Sequence, residues 1–164
     1  MRSFPWACTE PPLRRFVAAC LFFLMLSTST THAQVLVEDA WVRATVRGQQ
    51  ATGAFMRIST NKDVTLVEAR TQNAGFVEIH QMRLEQGVMS MRPVNGLLIS
   101  AGQPLEFKTD GYHLMLMDLK QPVRVGFEVQ LTLVFVGKDG KRESVYVHAP
   151  IANKSPHVSP TGNK

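Results

Sequence analysis

The chain has 164 residues, 18 of them basic and 13 acidic, and its net charge of +5 forms no basic cluster. That mild balance excludes nucleic acid as an expected partner. With 45% hydrophobic residues the chain can build one domain around its own core, and its two cysteines, Cys8 and Cys20, both fall within the first 33 positions.

Residues 1–33 read as a secretory signal peptide. Arg2, Arg14 and Arg15 supply a positive n-region, blemished only by Glu10, and Phe16 to Leu26 is an apolar run of eleven residues. Thr31 and Ala33 stand at the −3 and −1 positions of a cleavage site before Gln34. The apolar run is short of the ~20 residues that span a bilayer, so the mature chain is expected to have no transmembrane helix. Val17-Ala18-Ala19-Cys20 resembles a lipoprotein box, but it opens the apolar run instead of following it, which argues against lipidation. The expected product is an exported protein starting at Gln34. Loss of Arg2, Arg14, Arg15 and Glu10 leaves fifteen basic and twelve acidic residues, a net charge of +3. It also leaves no thiol.

From Gln34 onward, short runs rich in Val, Leu, Phe and Thr alternate with Gly, Pro, Asn and Asp, a strand-and-turn pattern. Strands are predicted over 35–46, 52–59, 64–71, 75–82, 88–94, 104–108, 112–119, 126–136 and 142–148. Asp139-Gly140 marks a hairpin between the last two. Pro93, Pro104 and Pro122 mark edges or turns, because proline cannot donate to a central ladder. Many short strands at this spacing predict an all-β sandwich or small barrel over residues 34–149. Residues 150–164, rich in Pro, Ser, Asn and Lys, are expected to be a flexible tail.

Chemistry concentrates in the middle of the chain. Six methionines remain after position 33, and five of them lie between Met82 and Met117, with His113 in the same interval and His80 two residues before it. Residues two apart on a strand share a face, so His80 groups with Met82, Met89 with Met91, and His113 with Met115 and Met117. A turn centred between Glu85 and Gln86 would set His80 opposite Met91 and Met82 opposite Met89, with Cβ atoms ~4.5–5.5 Å apart. A three-residue loop using Gly87 would pair His80 with Arg92 and turn the groups apart. Imidazoles and thioethers form a neutral, soft ligand set suited to monovalent copper. Without cysteine a blue-copper electron-transfer site is excluded, and no thiol is left to be oxidised in an oxidising compartment. The residues alone leave a metal site and ordinary packing both open. His148 and His157 lie outside the cluster and read as ordinary histidines.

The spacing H-x10-M-x21-H-x-M, formed by His80, Met91, His113 and Met115, resembles the periplasmic copper chaperone (PCuAC) family. The surrounding strings Val77-Glu78-Ile79-His80, Gly87-Val88-Met89-Ser90-Met91-Arg92-Pro93-Val94 and Gly111-Tyr112-His113-Leu114-Met115-Leu116-Met117 share the likeness, as does Ala40-Trp41-Val42-Arg43-Ala44. The resemblance implies a cupredoxin-like Greek-key β-sandwich that binds one Cu(I) per chain through those four residues. Met82, Met89 and Met117 then become rim or secondary positions. It implies a carrier and not an enzyme, supplying the dinuclear copper centre of cytochrome c oxidase. Its partners would be the copper-bearing oxidase subunit, a thioredoxin-like copper-transfer protein, or both, and the carrier itself a monomer. Gln81 stands where some members have methionine, and the tail offers only His157 where some are rich in His and Met. The rival readings are copper storage or resistance, and an exported β-sandwich that binds protein through a methionine patch without metal.

Overall fold

The computed structural model describes residues 34–156. The predicted leader, its cleavage site, Cys20 and His157 lie outside the described residues. Ten strands run in chain order: β1 (Val35–Arg43), β2 (Ala51–Thr60), β3 (Val64–Thr71), β4 (Ala74–Glu85) and β5 (Val88–Pro93) come first. They are followed by β6 (Leu97–Ile99), β7 (Leu105–Phe107), β8 (Tyr112–Leu119), β9 (Glu128–Gly137) and β10 (Arg142–Ala152). The hydrogen-bonded order is β5-β4-β8-β7-β2-β1-β10-β9-β3-β6, with β8 also pairing β2. One layer holds β5, β4, β8, β7, β2 and β1; the other holds β10, β9, β3 and β6. The layers meet at a short parallel contact, Val42 opposite Ile151 and Arg43 opposite Ala152. This is the all-β sandwich that the strand pattern predicts, with the cupredoxin-like architecture that the family resemblance implies. Among the described residues no helix is long and apolar enough to cross a membrane.

Strand alternation sends one set of side chains between the layers. Val42, Ala54, Ile58, Ile79, Leu114 and Leu116 from the first layer meet Leu66, Ile99, Val129, Leu131, Leu133 and Phe135 from the second. Met56 joins them at 3% exposed, the usual use of methionine as an adaptable core filler. The other face of β4, β8 and β2 is therefore left for something else.

Two local devices decide what stands on that face. In β1, Val37 faces Ile58 and, after a register shift between Glu38 and Trp41, Trp41 faces Phe55. Asp39 has a φ of 54° at this bulge. One extra residue reverses the alternation, so Val37 and Val42 both turn inward while Trp41 turns to the outer face beside Phe55. The second device is the β4–β5 turn. Gln86 and Gly87 have φ of 52° and 81°, the two left-handed positions of a two-residue hairpin loop, which glycine adopts without strain.

That turn corrects the predicted register. His80 faces Pro93, Met82 faces Met91 and Leu84 faces Met89, instead of His80 facing Met91 and Met82 facing Met89. A loop of Glu85 and Gln86 would have had no glycine for its left-handed positions, so the turn moves one residue along. The pairing consequently slips by two. A two-residue slip keeps alternation intact, so all the predicted face groupings survive, and only the rows change.

Two smaller differences concern strands. β6 was not predicted; it is three residues long and held only by pairing with β3 at Val64–Leu66. β10 continues past Pro150 to Ala152, where the tail was expected to have begun. The reason is Ile151, which is 7% exposed and whose N–H donates to the Phe127 carbonyl at 2.9 Å. The Asp139-Gly140 hairpin forms as predicted, with Arg142 opposite Val136.

Candidate metal centre

β8 lies between β4 and β2, and its register sets the site. His80 of β4 is directly opposite His113 of β8, and Glu78 is opposite Met115. On the other side Gly53 of β2 is opposite Met115, and Ala51 is opposite Met117. Four rows result on one face of the layer. Met91 and Met82 form the first, Pro93, His80 and His113 the second, Glu78, Met115 and Gly53 the third, and Phe76, Met117 and Ala51 the fourth. The two imidazoles are brought together, with ring centroids 6.0 Å apart. Met115 lies one row to one side of them and Met91 one row to the other, each diagonal to His80 and so ~7–8 Å from it in Cα spacing.

The hydrogen bonds of the two rings fix which nitrogen each can offer. His80 Nε2 lies 2.7 Å from Glu78 Oε2. A carboxylate only accepts, so Nε2 carries the proton of the neutral ring and Nδ1 keeps its lone pair. That Nδ1 is buried and has no hydrogen-bond partner. His113 Nδ1 lies 3.3 Å from the Gly111 carbonyl; it donates there, and Nε2 is left with the lone pair. Carboxylate and backbone carbonyl thus orient the two imidazoles by the device common to metal-binding histidines. An unpaired buried acceptor costs ~1–3 kcal/mol, so a water or an ion at His80 Nδ1 would be stabilising.

An aromatic shelf backs His113. Its ring lies 6.3 Å from Phe55, which stacks on Trp41 at 4.6 Å. Arg43 sits over the same Phe55 ring at 5.3 Å. Gly53 makes room for this shelf, because a Cβ there would come within 2.8 Å of Phe55 Cζ. Burial holds the His113 imidazole below its usual pKa, against the raising effect of the Gly111 carbonyl, and nearby His80 and Arg43 push the same way as burial. His113 therefore keeps its lone pair into more acid solution than an exposed histidine.

Donor chemistry narrows the ion. Among the described residues, no three His, Cys, Asp or Glu side chains gather to hold a metal. The side-chain donors that remain on this face beside the imidazole pair are thioethers, which are soft. Met82 and Met91 form the next row on the hairpin and Met89 stands one row further out, Met89 at 51% and Met91 at 46% exposed. Met117 lies two rows beyond His113. His148 is far from this face in its own exposed pair with Glu128 at 2.8 Å.

Glu78 and the Trp41–Phe55 shelf complete the surroundings, and neither was among the predicted site residues. Glu78 was within reach of alternation, standing two residues before His80 on the same strand. Phe55 and Trp41 were not, since their place depends on the bulge at Asp39 and on pairing across β2.

A family profile described as "Putative lipoprotein LpqE-like" matches residues 35–151. "Putative lipoprotein Lxx21020" of Leifsonia xyli subsp. xyli is 30% identical over 135 residues, covering 80% of each chain. The solution structure of CuI-DR1885 from Deinococcus radiodurans matches with a TM-score of 0.54 and 27% identity, over 82% of this chain and 86% of that one. The apo PCuAC domain from PmoF1 matches with a TM-score of 0.59 and 22% identity, over 75% of this chain and 100% of that one, a likeness of fold. The expected resemblance to PCuAC domains is thus found in the fold, and because the profile runs from the first strand to the last, the chain belongs to the LpqE-like family.

Proposed function

We propose that this protein is an exported Cu(I) carrier. In this reading His80 Nδ1, His113 Nε2 and the sulfurs of Met91 and Met115 hold one Cu(I) as cargo. The observation that carries it is the buried, unpartnered Nδ1 of His80 directly across from His113, on a sheet face supplied with thioethers and without thiols. A copper-loaded relative of the same fold, CuI-DR1885, supports it. Cu(I) is d10 and imposes little geometry, so two fixed imidazoles and two flexible thioethers suffice. Four neutral donors bind more weakly than thiolates would. That suits delivery to a cysteine-bearing acceptor, for which we propose the assembly of the dinuclear copper centre of cytochrome c oxidase. The leader pattern and the lipoprotein description of the family support export.

Competition titration against a colorimetric Cu(I) chelator under reducing conditions tests the reading. The protein is expected to retain one Cu(I), colourless and silent in electron paramagnetic resonance. Failure to hold any copper through gel filtration would refute it and favour the metal-free binding module.

Glu78 acts in this scheme as a positioning residue. Glu78→Ala removes the acceptor that holds the proton on His80 Nε2, and Cu(I) affinity is expected to fall ~10–100-fold, the usual cost of losing an outer partner. Glu78→Gln keeps an accepting oxygen at the same reach and is expected to restore most of that loss. Equal affinities for Glu78→Ala and wild type would remove Glu78 from the site.

A further inference from the structure

Three thioethers are grouped on the β4–β5 hairpin beyond the imidazoles. Met82 and Met91 are directly opposed, and Met89, opposite Leu84, is the diagonal neighbour of Met82 on the same face. β5 ends the sheet order, and Met89 and Met91 are about half exposed. Methionines so exposed contribute little to packing; Met56, at 3% exposed, shows where this chain uses the residue as filler. Directly opposed Cβ atoms are ~4.5–5.5 Å apart and diagonal ones within ~8 Å. Both spans can be closed onto one ion by side chains with three rotatable bonds and a terminal thioether.

We propose that Met82, Met89 and Met91 form a second, outer Cu(I) position, a trigonal thioether station through which copper enters and leaves the imidazole site. The proposal rests on the carrier reading and deepens it, since the two positions share Met91. Transfer inward is a ligand exchange. The Cu–S bonds to Met82 and Met89 break, bonds to His80 Nδ1, His113 Nε2 and Met115 form, and the Cu–S bond to Met91 persists. Both imidazole nitrogens already hold free lone pairs, so no proton is released. Copper remains monovalent and no electron moves. Softness is why the station suits Cu(I) and not the harder divalent ions.

The test uses the full chain and two sets of variants. Met82→Leu with Met89→Leu conserves volume at exposed positions and removes two sulfurs. Stopped-flow capture of Cu(I) from its chelator complex is expected to slow about tenfold in this variant, equivalent to ~1.4 kcal/mol at the barrier. In His80→Gln with His113→Gln, Cu(I) is expected to remain bound with only sulfur scatterers in its X-ray absorption spectrum. Adding Met82→Leu should then abolish binding. An unchanged capture rate, or an imidazole-free variant that holds no copper, would overturn the station. A wild-type protein that takes up no copper is a different result and would sink the carrier reading itself.

Discussion

His113→Ala is expected to lower Cu(I) affinity by more than ~100-fold, beyond the ~10–100-fold that an outer hydrogen-bond partner is worth, while leaving the fold intact. His113 is 4% exposed, but its side chain lies on the face of β8 opposite the core, against Phe55 and His80. Its loss removes a donor nitrogen and leaves Leu114 and Leu116 in place. The same variant reports on pH. Folded His113 is held below its usual pKa, mainly by burial, whereas in the unfolded chain it titrates near ~6.5. Below that value the unfolded chain takes up a proton that the folded chain refuses. The stability of the apoprotein is therefore whole above ~6.5 and is lost as the pH falls through the lower, folded value. Urea unfolding at about pH 7 and about pH 5 should show a smaller fall for His113→Ala than for wild type. Parallel profiles would contradict the burial of a neutral imidazole, and unchanged copper affinity would remove His113 from the ligand set.

Leu114→Ala is expected to do the reverse. Leu114 stands between His113 and Met115 in sequence, yet it is 0% exposed and belongs to the core between the layers. Truncating a fully buried leucine costs ~2–5 kcal/mol, which for a domain of this size lowers the thermal midpoint by roughly 10 °C or more. Protein that remains folded should bind Cu(I) as the wild type does, and excess copper should raise the midpoint again by mass action. A melting curve within about 2 °C of wild type would show that β8 does not bury Leu114. The two variants, one residue apart, separate the two faces of a single strand.

Sequence reading went furthest wherever alternation alone was enough. The grouping of His80 with Met82, of Met89 with Met91, and of His113 with Met115 follows from a two-residue period, and it survives the correction of the hairpin. The register itself turned on Gly87, whose freedom to adopt a positive φ moved the loop by one residue. The direct opposition of His80 and His113 was beyond reach. It joins β4 to β8 across β5, β6 and β7, and no local pattern encodes a pairing at that separation. β6 escaped because three residues carry no period, and its order comes from β3. Trp41 illustrates a different limit. A strict alternation from Val37 would have pointed it between the layers, and only the extra residue at the Asp39 bulge turns it toward Phe55.

The strand order gives the four proposed ligands unequal footing. His80, His113 and Met115 sit on strands with a neighbour on each side, whereas Met91 sits on β5, which has one. Local opening free energies are lowest where a segment has least to hold it, so β5 is the first part of this layer to fray. Detachment of Met91 by such an opening would leave copper three-coordinate and open on one flank, without disturbing the rest of the sandwich. An approaching thiolate would find that flank first. Hydrogen exchange should then be fastest at the amides of β5 and slowest in the middle of β8, and letting go would be a matter of unzipping one short strand.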